Sequence, residues 1–334
     1  MAHSFSSERN PTMNKLLPRL LLALCAVATA GLANAQAFPN KPIRWISPWA
    51  PAGGNDVLSR AIGNEISKSL GQPVVVENKP GASGTMGTDQ VAKAPADGYT
   101  LTLGSPGTHA TALSMVPGLP YDPVKSFTPI VLVGTVPNVL VVPTSVPANS
   151  VKELIAYLKA HPNSYNFASV GNGSMQHLAG ELFKRMAGVE ITHVAYKGSA
   201  PALLDLTGGR VEMAFESMPT VLPLVRGGKL KALAVTTPKR SSLMPEVPTI
   251  AESGLPGFDV TVWYGVFGPA GMPADVTTKL NQSINAALRT PELGQRLSEL
   301  GADVAGGTAQ DLARYQAAES TKWNKFIKDA GIAP

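Results

Sequence analysis

Five times along this chain a short, largely apolar run of strand-forming residues ends in a glycine-bearing loop, and four of those loops lead straight into a helical pattern. The first run is Ile43 to Ser47, followed by Pro48-Trp-Ala-Pro-Ala-Gly-Gly-Asn-Asp56 and then by the helix-patterned Val57, Leu58, Ala61 and Ile62. Pro51, Gly53 and Gly54 strip side-chain bulk from a place where a ligand could meet bare backbone, and Asn55 or Asp56 can cap the helix that follows. One such loop reads equally well as an ordinary tight turn. Its recurrence is what constrains the fold: Asn78-Lys-Pro-Gly-Ala-Ser-Gly-Thr-Met-Gly87, Gly104-Ser-Pro-Gly-Thr-His109, Ala168-Ser-Val-Gly-Asn-Gly-Ser-Met-Gln-His177 and Tyr196-Lys-Gly-Ser-Ala-Pro201 each follow a strand pattern. Ligands of open α/β sheets sit at the carboxyl ends of strands, and helix starts offer free N–H groups to anions. An oxygen-rich or anionic guest is therefore expected.

The alternation of strand and helix patterns predicts an α/β protein with largely parallel sheets. Strands are expected at 43–47, 74–77, 100–103, 130–133, 139–142, 166–168, 191–194, 213–216, 232–236 and 260–266. Helices are expected at 56–70, 85–93, 150–160, 175–187, 199–207, 220–227, 274–288, 291–300 and 309–330. Gly134-Thr-Val-Pro-Asn-Val-Leu140 joins two strands with a minimal break, and Phe258 to Phe267 is a second extended crossing. With hinges at both places, residues 36–137 plus 260–334 form one discontinuous domain and 138–259 the other, with the ligand in the cleft between them.

Ahead of the first strand, Arg9, Lys15 and Arg19 precede an apolar stretch from Leu20 to Leu32 and the small-residue motif Ala33-Asn34-Ala35. This pattern is that of a secretory signal peptide, residues 1–35, cleaved after Ala35. Met13 is an alternative start. The single cysteine, Cys25, falls in this leader, so the exported chain has no disulfide and must fold on its core alone. Lipid attachment there is disfavoured by the bulky Leu24. The formal charge of +5 includes two net positive charges from Glu8, Arg9, Lys15 and Arg19 of the leader, leaving +3 on scattered residues. No basic stripe with interleaved aromatics occurs, which argues against nucleic acid as a partner.

Taken in order, these stretches resemble the substrate-binding proteins of tripartite tricarboxylate transporters, the TctC-like or Bug family. The resemblance spans the mature chain: Trp49-Ala-Pro-Ala-Gly-Gly-Asn-Asp56, Val76-Glu-Asn-Lys-Pro-Gly-Ala-Ser-Gly84, Ala96-Asp-Gly-Tyr-Thr-Leu101, Leu119-Pro-Tyr-Asp-Pro-Val-Lys125, His177-Leu-Ala-Gly-Glu-Leu-Phe183, Tyr196-Lys-Gly-Ser-Ala-Pro-Ala202 and Val247-Pro-Thr-Ile-Ala-Glu-Ser-Gly-Leu-Pro-Gly257. It implies a periplasmic, monomeric receptor with a type II binding-protein fold, two α/β domains around a cleft joined by two crossing strands. It also implies delivery of a small carboxylate or related metabolite to membrane permease subunits, with no cofactor and no metal. The family grips a carboxylate with backbone N–H groups and short hydroxyl side chains at helix starts. Two departures bear on ligand choice: the first loop has Pro51-Ala-Gly-Gly-Asn-Asp56 where a third glycine and a threonine are commoner, and Phe215-Glu-Ser217 replaces a frequent aspartate.

Under that geometry the expected ligand contacts are Ala52, Gly53, Asp56, Ala82, Ser83, Ser105 and Thr108 on one side and Ser169, Gly171, Asn172, Gly173, Ser174 and Glu216 on the other. Three or four hydrogen bonds to a carboxylate, each worth about 1.5–3 kcal/mol, suffice for micromolar binding near about 8 kcal/mol without a basic clamp. Several residues keep two readings. Asp56 either caps its helix or meets a ligand donor; Glu216 is either a satisfied structural acid or a selector. Trp263 and Tyr264 are either cleft wall and hinge or core, His109 and His177 are packed or metal-binding, and Lys197 is surface or near the ligand.

An exported enzyme is a weaker reading, since no Gly-x-Ser-x-Gly elbow, His-Glu-x-x-His, Walker loop or mature cysteine is present, and Gln176 breaks a dinucleotide fingerprint. A signalling receptor with the same closing cleft, or a structural protein, are the remaining alternatives.

Overall fold

The computed structural model describes residues 38–51, 53–299 and 301–332, with Met1, His3 and Ser4. The expected leader and its cleavage site therefore lie outside the described residues, as does Ala52 of the first loop. Of the stretch before Lys41, the Phe38–Pro39 bond is cis.

From Lys41 onward the chain alternates as its patterns require. Strand β1 (Ile43–Ser47) leads to helix α1 (Gly54–Leu70), β2 (Val74–Asn78), a 3-10 turn (Ala82–Gly84), α2 (Thr85–Ala92) and β3 (Thr100–Gly104). Two short helices not evident from periodicity follow, α3 (Pro106–His109) and α4 (Ala112–Met115), and then the long strand β4 (Phe127–Pro143). The next stretch is α5 (Val151–Ala160), β5 (Asn166–Ser169), α6 (Met175–Ala187), β6 (Thr192–Ala195), α7 (Ser199–Thr207), β7 (Met213–Ser217), α8 (Met218–Arg226) and β8 (Leu230–Val235). The chain returns through β9 (Thr261–Pro269), α9 (Ala274–Leu288), α10 (Pro291–Glu299), the short β10 (Asp303–Val304) and α11 (Ala309–Ala330).

The strands lie in the order β2-β1-β3-β9-β4-β7-β5-β6, with β8 and β10 also on β4. One half of the sheet is β2, β1 and β3 in parallel with antiparallel β9; in the other, β6, β5, β7 and β8 run one way and β4, between β7 and β8, runs antiparallel to both. Strand β4 serves both. Its first part pairs with β9 as far as Pro137 opposite Thr261, and from Asn138, opposite Ser217, it pairs with β7.

Two expectations are corrected. The strands at 130–133 and 139–142 are one strand, because Gly134, Pro129 and Pro137 do not interrupt it. Register shifts at Pro129/Val131 and Leu132/Gly134 absorb the first two, and Pro137, which has no N–H, falls where β4 changes partner. The helix expected at 220–227 begins at Met218, since a proline in the first turn gives up only an N–H that would have no helical acceptor.

Among the described residues, apolar side chains of alternate parity pack on both halves of the sheet. Ile46, Val91, Phe127, Trp263, Phe267 and Leu312 pack the first half. Leu140, Phe167, Phe183, Phe215 and Phe258 fill one face of the second, and Val139, Ala214, Met218 and Val221 the other. Helix α11 spans the two halves. Its Leu312 enters the first core, its Trp323 and Ile327 the second, and between them Gln316 Nε2 donates to the His109 and Pro123 carbonyls.

Candidate functional site

The strand ends of the first half are tied together by one buried amide. Asn55 Nδ2 donates to the Leu103 carbonyl at 2.7 Å, and its Oδ1 accepts from Ser47 Oγ at 3.1 Å, joining the ends of β3 and β1. Helix α1 therefore starts earlier than the sequence suggests: Gly53 is its N-cap, with no side-chain cap, and Val57 N closes the first turn on the Gly53 carbonyl. Asp56 does not stand at the cap. Its Oδ1 accepts from Arg60 Nε at 3.0 Å and Asn78 Nδ2 at 2.8 Å, and that same Nδ2 reaches the Trp49 carbonyl at 3.1 Å.

Trp49 joins three loops. Its indole would lie 3.2 Å from a Cβ on Gly84, which makes room for the ring, and in ordinary contact, 3.6 Å, with one on Gly107. A Cβ on Gly87 would meet the Lys79 carbonyl oxygen at 2.6 Å and Pro48 Cα at 3.0 Å. The loops after β1, β2 and β3 thus converge. Between them Ala82 and Ser83 are exposed with φ of 44° and 55°, flanked by Gly81 and Gly84 at 139° and 87°. Left-handed backbone at two non-glycine residues costs roughly 1–2 kcal/mol each, and consecutive N–H groups in such a turn form an anion-binding concavity.

Ser105 and Thr108 are buried and bonded to each other, the Ser105 N–H reaching Thr108 Oγ1 at 3.1 Å in a capping box. Thr108 Oγ1 also lies 2.9 Å from His109 Nδ1. His109 stacks on Phe267 with centroids 4.1 Å apart, and burial pushes its pKa down to about 3. It is a neutral packed ring. Trp263 is fully buried, whereas Tyr264, on the opposite face of β9, is half-buried, with its hydroxyl 3.3 Å from where a Cβ on Gly54 would lie.

In the second half the loop from Ser169 to Ser174 uses its own donors. Gly171 N–H donates to Ser169 Oγ at 3.1 Å, Gly173 N–H to His177 Nδ1 at 3.1 Å, and Ser174 N–H to the Gly171 carbonyl at 3.2 Å. Ser174 Oγ caps α6 by accepting from His177 N. Of the loop's expected contacts, Gly171, Gly173 and Ser174 have their N–H groups engaged within the lobe, and Asn172 is exposed. The loop abuts the first half: Thr111 Oγ1 donates to the Gly173 carbonyl at 3.4 Å, and Met115 packs where a Gly173 Cβ would be.

Two histidines support this loop. Ser169 Oγ lies 2.6 Å from His193 Nε2, and His193 stacks on His177; burial lowers both pKa values to about 4. A cavity of about 290 Å³ beside them is lined by Asn172, Glu181 and the Ala330–Ile332 turn. His193 went unnoticed in the sequence because only the pairing of Phe167 with His193 brings it to His177. At the end of β7, Glu216 is 1 % exposed; Thr220 Oγ1 donates to its Oε2 at 2.8 Å and its Oε1 has no partner among the described residues. Burial raises its pKa, with Ser199 and Thr220 opposing. Lys197 is exposed. Among the described residues no three His, Cys, Asp or Glu side chains gather to hold a metal.

Comparison with known proteins places these converging loops in a family. Residues 58–332 match the family described as "Tripartite tricarboxylate transporter family receptor". The chain belongs to that family. Among curated relatives of this receptor, Protein BugT of Bordetella pertussis is 40% identical over 309 residues, 91% of this chain and 95% of its own. An R. palustris protein solved with adipate is 42% identical with a TM-score of 0.83, covering 89% of this chain and 99% of that one. MatC from Rhodopseudomonas palustris, solved with bound malate, is 35% identical with a TM-score of 0.79, covering 87% and 100%. The receptor thus has the periplasmic solute-binding-protein fold and is not an enzyme. No helix among its described residues is long and apolar enough to cross a membrane.

Proposed function

We propose that this receptor is exported by the leader at 1–35, captures a small carboxylate, most simply a dicarboxylate, in the periplasm, and hands it as a monomer to the permease subunits of a tripartite transporter. The observation that carries this reading is a cluster of neutral donors at converging loops, the first turn of α1 after Gly53 and the left-handed Ala82–Ser83 turn, beside which the Arg60 guanidinium is taken up by Asp56 and Asn78. Relatives solved with adipate and malate support the ligand class. In this reading residues 36–137 with 260–334 and residues 138–259 are the two lobes. They close on the ligand by flexing where β4 changes partner at Pro137 and Asn138. Gly53, Ala82 and Ser83 meet the carboxylate from one lobe and Asn172 from the other. Ser105, Thr108, Ser169, Gly171, Gly173 and Ser174 hold the loops that do so.

The test is a thermal-shift screen of the mature chain against mono-, di- and tricarboxylates, followed by calorimetry. A ligand present at a hundred times its Kd adds about 2.7 kcal/mol of stability, a shift easily read. If no carboxylate raises the melting temperature while a cationic or neutral solute does, the reading is wrong.

A further inference from the structure

We propose that Tyr264 is a specificity-determining residue whose phenol donates a hydrogen bond to the ligand carboxylate held at the start of α1; this rests on the carboxylate reading above. Strand parity sets its direction. Gly265 and Trp263 face α11, where a Cβ on Gly265 would meet Leu312 and Trp263 packs in the same core. Tyr264 consequently turns to the opposite face, toward α1, and its hydroxyl comes to rest 3.3 Å from the Cβ position of Gly54, the first residue of that helix. A side chain at position 54 would occupy the approach; glycine leaves it open.

Three further observations favour a ligand over simple packing. The phenol is deep enough for burial alone to raise its pKa to about 12, yet the residue keeps part of its surface in solvent, as on the wall of a cleft. No hydrogen bond joins its hydroxyl to another described residue, and the oxygen is not walled off from solvent, so a ligand oxygen can take the place of water there. Lastly, the neighbouring helix start holds N–H groups of Gly54 and Asn55 that no helical carbonyl can reach. A hydroxyl that stays protonated at every physiological pH adds a neutral donor to that set. As a donor it favours an anionic oxygen, because a hydrogen bond to a charged acceptor is stronger than one to a neutral acceptor.

The experiment compares wild type with Tyr264→Phe by calorimetry against succinate, malate and adipate. Loss of a hydrogen bond to a charged group should weaken binding by roughly ten- to a hundred-fold for whichever acid wild type binds, with the ligand-free melting temperature retained. A Kd within two-fold of wild type overturns the proposal while leaving the carboxylate reading intact. Gly54→Ala supplies the second readout: its methyl crowds the phenol oxygen by a few tenths of an ångström, so it should weaken wild type but add little in the Tyr264→Phe background. Full additivity of the two losses also overturns the proposal. A wild type that binds none of the three acids but is stabilised by a cationic solute overturns both.

Discussion

The imidazoles of His177 and His193 lie face to face, 3.9 Å between centroids and 12° from parallel, beneath the loop that carries Asn172. Burial holds both rings neutral, and each bonds into that loop, His177 to Gly173 N–H and His193 to Ser169 Oγ. A proton on His177 Nδ1 would oppose the Gly173 N–H directly, and two charged rings at this spacing would repel.

Acid should therefore loosen this loop. Both folded pKa values are near 4 against an ordinary 6.5, so between those limits the unfolded chain binds more protons than the folded one. Stability is fully present above about pH 6.5 and is lost as pH falls towards 4. The pair should account for on the order of 3 kcal/mol, His193 giving the smaller share because water screens it more. Glu181, 3.9 Å from His177 Nε2, offsets part of this. Urea unfolding at pH 7 and pH 4.5 measures the loss, and a His177→Gln, His193→Gln double variant should show a flatter profile. An unchanged slope would place the acid sensitivity elsewhere.

Asn55 should prove a structural brace of the site. Asn55→Ala leaves the buried Leu103 carbonyl and Ser47 hydroxyl without their partner, at a cost of about 2–3 kcal/mol, and frees the ends of β1 and β3 to separate. The change should appear as a lower urea midpoint together with weaker ligand binding. Restoration of the midpoint by ligand alone would argue that the brace acts only through the cleft.

Gly87→Ala is expected to cost roughly 1–3 kcal/mol, because its methyl meets backbone on two sides, the Lys79 carbonyl oxygen and Pro48 Cα, and neither can swing away. The loops after β1 and β2 must part to admit it. Affinity for a carboxylate should fall along with the melting temperature; a variant that binds normally would show that the two loops need not touch.

These cases show what the sequence carried and what it withheld. Strand and helix positions were legible because apolar periodicity and glycine punctuate them, and helices such as Met175–Ala187 begin and end where the pattern does. Asn55 and Asp56 were legible as polar residues at a helix start, but their inward ties depend on Leu103 and Asn78, which are close only after the sheet forms. For the same reason the N–H groups of Gly171, Gly173 and Ser174 looked free: their acceptors include His177 Nδ1, whose orientation periodicity does not encode. Trp263 and Tyr264 are adjacent in sequence and opposite in role, and only the register of β9 on β4 decides which is core.

Glu216 is the buried acid whose replacement should stabilise the free protein. Its carboxyl pKa is raised, chiefly by burial, so the folded state holds a proton that the unfolded state releases more readily. The stability linked to that proton is fully present below the ordinary carboxyl pKa and is lost as pH rises through the folded value. Glu216→Gln keeps the shape and the acceptor for Thr220 while removing the charge, and should raise the urea midpoint at pH 8 with little change at pH 4. The same variant tests selection: if the unpartnered Oε1 meets a ligand hydroxyl, malate affinity should fall relative to succinate. Equal losses for the two acids, or none, would assign Glu216 to the packing beneath α7 and α8 alone.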